Sequence, residues 1–190
     1  MSLLKCVQRY GEVEELIQLI ESGSNVNEKD RNGQTPLHYC ISFDIRIVEK
    51  LLQHGADPNM KNRIGISPFH DAAYFADEEF ISISLNYGAD LNLRDNSLAT
   101  PLHYAVKGFY LGGSSALVCL LQHGADPNIK NKDGETPFDY ALKNNLIEAC
   151  CILVEYGAIV NIDLLETFPE NIQKMILDKV PIEIKEPEES

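Results

Sequence analysis

Thr35-Pro36-Leu37-His38 opens a segment that the chain rewrites three more times, as Ser67-Pro68-Phe69-His70, Thr100-Pro101-Leu102-His103 and Thr136-Pro137-Phe138-Asp139, at intervals of 32, 33 and 36 residues. A second marker keeps step with it: Gly23-Ser24, Gly55-Ala56-Asp57, Gly88-Ala89-Asp90, Gly124-Ala125-Asp126 and Gly157-Ala158. Two markers sharing one period near 33 residues define a repeat array. The chemistry of one unit is legible from its residues. Thr35 suits a helix N-cap, where its hydroxyl accepts from an orphaned backbone N–H, and Pro36 suits the first helical position. Leu37 then starts a short helix. After a break, Ile45, Ile47, Val48, Leu51 and Leu52 are spaced as one face of a second helix, which Gly55 is placed to end. Asp57 to Gly65 is turn-rich, with Asn59, Asn62 and Gly65 able to support a hairpin-like loop. Each unit therefore reads helix, turn, helix, projecting loop, and it must stack on its neighbours to cover its apolar face.

From about Leu3 to Val160 the period and the four-residue signature resemble the ankyrin-repeat family. The resemblance implies an all-α solenoid with short loop hairpins: an N-terminal cap, four full repeats and a C-terminal capping helix. Residues 1–31 lack the Thr-Pro opening but keep a helix pair, as a capping repeat does. Full repeats are expected over 32–63, 64–96, 97–132 and 133–162, a capping helix over 163–180 with Ile172, Met175, Ile176 and Val180 marking its apolar face, and an acidic disordered tail over 181–190.

The repeats are unequal. In 64–96, Asp71 stands where the others carry Tyr39, Tyr104 and Tyr140, and Ser84 replaces the core leucine matched by Leu51, Leu120 and Leu153. That predicts the loosest layer, since an apolar side chain missing from a packed site costs about 2–5 kcal/mol. In 97–132, Leu98 replaces the glycine found at Gly33, Gly65 and Gly134, so its loop is not expected to copy theirs if φ must be positive. The same repeat has a turn three residues longer, Lys107 to Ser115, and its Gly112-Gly113-Ser114-Ser115 reads as a flexible turn rather than a phosphate cradle, lacking the lysine and the preceding strand.

Composition bounds the function. Sixteen Lys+Arg against 29 Asp+Glu give a net charge of −13, which opposes binding to a phosphate backbone and favours basic partners. No apolar run approaches the roughly 18 residues of a membrane span, and Lys5 and Arg9 interrupt the start, so neither membrane insertion nor a signal peptide is expected. Five cysteines, an odd number and none in metal spacing, read as buried apolar residues of a reducing, intracellular compartment: cytoplasm first, with the nucleus open. No cofactor is expected, and the chain is expected to be a monomer.

All five histidines fall in repeat positions. The resemblance implies that His38, His70 and His103 bond the N-cap residue and the neighbouring backbone. Stacked repeats would hold these rings about 10 Å apart, far beyond a metal–nitrogen bond of about 2 Å. With no nucleophile–base pair or phosphate loop, an enzyme is not expected.

Surface recognition remains. By repeat position, the loop residues available to a partner are Arg31, Asn32 and Gln34, then Arg63, Ile64 and Ile66, then Asn96, Ser97 and Ala99, then Lys132, Asp133 and Glu135. The ends of the first helices carry Phe43, Tyr74, Phe75, Lys107, Phe109, Tyr110, Lys143 and Asn144. Aromatics in three successive layers suggest a hydrophobic ridge on the concave face, unless the rings pack inward. Asn59 and Asn128 resemble the asparagines that hydroxylases modify on ankyrin loops; the alternative is that they bond the hairpin backbone. Leu165 to Ile172, with Ile176-Leu177, resembles the start of an F-box or of the C-terminal box of poxvirus-type ankyrin proteins, though Phe168 replaces a leucine and the remainder of such a box is absent. Three functions follow: a protein-binding module, a substrate-recruiting ubiquitin-ligase adaptor, or an IκB-like inhibitor of a basic partner.

Overall fold

The signature does build helix starts. In the computed structural model, which describes residues 2–9 and 11–180, a proline at the first position and a capping box open a helix at Thr35, Ser67, Thr100 and Thr136. The described residues form twelve α-helices and one 3-10 helix, with no strand, and no helix among them is long and apolar enough to cross a membrane. They pair as α1 (Leu3–Gln8) with α2 (Val13–Glu21), the 3-10 helix (Pro36–Cys40) with α3 (Ile45–Gln53), and α4 (Pro68–Tyr74) with α5 (Glu78–Asn86). Next come α6 (Pro101–Lys107) with the short α7 (Phe109–Gly112) and α8 (Ser115–Gln122), then α9 (Pro137–Lys143) with α10 (Ile147–Glu155).

Contacts run along two rows. First helices touch first helices (α1, the 3-10 helix, α4, α6, α9) and second helices touch second helices (α2, α3, α5, α8, α10). The core is accordingly a continuous seam from Leu3 to Ile176, with no closed centre. Layers are stapled by polar bonds as well. Nδ1 of His38, His70 and His103 accepts from the backbone N–H of Thr35, Ser67 and Thr100, while Nε2 lies 3.2 Å from the Ile66 carbonyl, 3.3 Å from that of Ala99 and 3.1 Å from that of Glu135. Such a ring carries its proton on Nε2 and donates to the next layer. At Asp139 the polarity is reversed: Asn161 donates its amide to Asp139 Oδ1 at 3.2 Å.

Five expectations are corrected. The first helix of the 32–63 segment is a 3-10 helix; its turn is one residue short, and Ser42 takes φ +61° to close it. Leu98 adopts φ +58° and copies the glycine loops after all. The Lys107–Ser115 turn is not slack but contains α7. Asn59 and Asn128 reach beyond their own hairpins, bonding the carbonyls of Gly88 and Gly157 and the N–H groups of Asp90 and Ile159 in the next layer. Met175, expected on the apolar face of the last helix, is 46% exposed.

After α10 the chain forms α11 (Ile162–Leu165) and α12 (Glu170–Leu177), and α12 packs on α10. Leu165 and Ile176 are buried there, with Phe168 and Ile172 against the same core, so the segment closes the end of the seam. The expected tail, 181–190, lies outside the described residues.

Candidate functional site

The projecting loops share one organiser. Asp30 Oδ1 accepts from the N–H groups of Asn32 and Gln34, and Asn62, Asp95 and Asn131 do the same two and four residues on. A carboxylate or amide oxygen taking two N–H groups fixes the turn, and the third residue on (Gly33, Gly65, Leu98, Gly134) is left-handed. Sequence reading caught Asn62 but missed the series, although an Asp or Asn stands five residues before each signature Thr or Ser.

These turns set the candidate loop residues in line. Arg31, Asn32, Arg63, Ile64, Asn96, Ser97, Lys132 and Asp133 are exposed, whereas Gln34, Ile66 and Glu135 are half-buried and Ala99 is buried. Neighbouring loops are joined: Arg63 N–H donates to Asn32 O at 3.0 Å, Lys132 N–H to Ser97 O at 2.8 Å, and the Asn96 amide to Arg63 O at 3.2 Å. Gly65 has a second reason to be glycine, because a Cβ there would strike Asn96. Lys143 is tied to Glu135 by an ion pair of 2.6 Å, which holds the Glu135 carboxyl below its ordinary range.

At the helix ends the aromatic set divides. Phe75 is 52% exposed and Tyr110 79%, and Leu111, which sequence reading left out, is 60% exposed. Tyr74 is half-buried and meets Phe75 edge-on, ring centroids 5.0 Å apart. Phe43 is half-buried against the core. Phe109 is buried in it, so that ring belongs to the seam and not to the ridge. The longer turn explains the split. Cβ atoms on Gly108 and Gly112 would collide with the Tyr74 carbonyl and the Ala76 methyl, so α7 rests backbone-close against the end of α4. Phe109 is then driven inward while Tyr110 and Leu111 remain in solvent beside that junction.

Along the first helices, at the position after the signature, run Tyr39, Asp71, Tyr104 and Tyr140, all half-buried. Tyr39 donates to Asp30 at 2.6 Å and Tyr104 to Asp95 at 2.8 Å. The Lys107 ammonium sits over the Tyr104 ring at 4.9 Å and near that of Tyr140 at 5.7 Å. Burial pushes the Asp71 carboxyl up to about 7. It holds the His38 and His70 imidazoles down to about 4, against the partial relief of their hydrogen bonds to the next layer.

A ladder of helix pairs with organised loops and an exposed aromatic junction defines a repeat scaffold of the kind that presents a rigid face. Sequence comparison gives the family: a model of ankyrin repeats (three copies) matches residues 1–62, 44–131 and 69–163, and the chain belongs to the ankyrin-repeat family. It is also 42% identical over 108 residues to the ankyrin repeat protein FPV115 of fowlpox virus (strain NVSL), a match covering 56% of this chain and 19% of that protein. The chain thus spans about a fifth of the length of the relative it matches. Ankyrin repeats generally mediate protein–protein interaction.

Proposed function

We propose that the chain is a non-catalytic module that holds a partner protein against its projecting loops and first-helix face, with the junction of α4 and α7 at the centre. The carrying observation is the cluster of Phe75, Tyr110 and Leu111, three large apolar side chains left in solvent on a helix–helix junction that the glycines hold rigid. Exposed aromatics on a preformed support suit a binding hot spot, because little ordering entropy is lost when they are covered. The loops extend this patch with Arg31, Arg63 and Lys132. We read the units as a capping repeat over 1–31, repeats over 32–63, 64–96, 97–132 and 133–162, and a cap over 163–180, working as an intracellular monomer without cofactor. Neither a nucleic acid nor a membrane is its target, given the charge of −13.

The test is a variant with Phe75, Tyr110 and Leu111 changed to Ser. It should keep its helical circular dichroism and lose partner capture by tenfold or more. Full retention of the partner by a folded variant overturns the reading. The ligase-adaptor alternative draws less support, because Leu165 and Ile176 are already used to close the stack.

A further inference from the structure

Asp71 breaks the row of phenols at its middle. In the layers on either side the acidic group lies in the loop, Asp30 or Asp95, and the helix supplies a tyrosine that donates to it. In this layer the loop residue is Asn62, whose amide is bonded to Gln34, and the helix supplies the carboxylate. No donor has moved with it: among the described residues Asp71 makes no side-chain hydrogen bond and no ion pair. A short acidic side chain thus stands, half-buried, at the place in that row where the layers on either side carry the phenols of Tyr39 and Tyr104.

Two further observations say what this position fits. Lys107 already lies over the rings of Tyr104 and Tyr140, so the spacing of this row admits a long cationic side chain between layers. Phe75 is one helical turn on from Asp71, its N–H donating to the Asp71 carbonyl, so carboxylate and apolar ridge share a face. We propose that Asp71 seats a basic side chain, arginine above all, of the bound partner segment, next to the partner's apolar anchor on Phe75. The guanidinium gains a paired carboxylate and a phenol face together, a combination that a planar fork satisfies better than an ammonium. Desolvation of Asp71, unrelieved in the free protein, is relieved on binding. The negative field of the whole chain draws such a segment in.

This rests on the proposed binding face, and the experiment separates the two. A phage library of random dodecapeptides is selected on the full chain, and the selected peptides are measured against wild type, Asp71→Asn, Glu79→Gln as a charge control, and the triple Ser variant. Peptides should be enriched in arginine next to an apolar residue, should lose about tenfold in affinity on Asp71→Asn and on replacing that arginine by citrulline, and should be indifferent to Glu79→Gln. The two losses should not add, since each removes the same pair. Peptides that fail on the Ser variant yet bind Asp71→Asn as well as wild type overturn the seat and leave the face standing. Peptides indifferent to both variants, or no binders at all, overturn both.

Discussion

Leu98 holds φ +58° in a loop whose counterparts hold +80°, +85° and +76° at Gly33, Gly65 and Gly134. A left-handed L-residue is strained by roughly 1–2 kcal/mol, partly offset in Leu98→Gly by the freedom glycine regains when unfolded. Leu98→Gly should therefore raise stability by about 0.5–1 kcal/mol, seen as a higher urea midpoint at unchanged slope. The sequence told the substitution but not its outcome, because the two bonds that Asp95 accepts from Ser97 and Ala99 outweigh the residue's own preference. Ser84 was legible as a departure from leucine, yet its consequence is a hydroxyl: among the described residues its Oγ is the buried side-chain polar atom with no hydrogen-bond partner. Ser84→Ala should stabilise by about 1 kcal/mol in the same assay, and a loss of stability would mean the hydroxyl is bonded. The histidines give a pH signature. The unfolded chain takes up protons near pH 6.5, whereas buried His38 and His70 stay neutral down to about 4. Above pH 6.5 they contribute nothing to the pH dependence; below it the unfolded state binds the extra protons. The histidines' share of the stability should fall between pH 6.5 and 4, by up to about 3 kcal/mol per histidine, opposed in part by Asp71, whose raised carboxyl takes up its proton first in the folded state; the net fall should be less steep in His38→Gln.

At the scale of elements, α7 was the least legible piece. Phe109-Tyr110-Leu111-Gly112 carries no periodicity long enough to mark a helix, and glycines read as slack until a neighbour's backbone is seen against them. Their effect is the opposite. Gly108→Ala should disorder the junction, with faster amide exchange across 108–115 and a loss of about 2 kcal/mol; exchange unchanged from wild type would detach α7 from α4. The paired helices, by contrast, were readable at once, since the capped Thr-Pro start and the 3–4 spacing of residues such as Ile47, Val48, Leu51 and Leu52 are local signals. α12 falls between: its apolar residues were visible, but which of them faced the stack was not, and Ile176 rather than Met175 is the buried one. Ile176→Ser should cost about 3 kcal/mol and loosen α9 and α10 first, as expected of a cap.

For the molecule as a whole, a period of about 33 residues was enough to set the ladder, because each layer contacts only its neighbours and no long-range topology had to be guessed. The binding face was half legible. Repeat position found the loops and Phe75, but only packing could show that Phe109 turns inward, that Leu111 stays out, and that Asp71 lacks a partner. The face itself is tested most directly by hydrogen exchange on the chain with and without its captured partner. Protection should fall on residues 31–34, 63–66 and 96–99 and on the segments ending α4 and forming α7. Protection confined to the second-helix row or to α12, with the loops and the α4–α7 junction exchanging as in the free chain, would contradict the account.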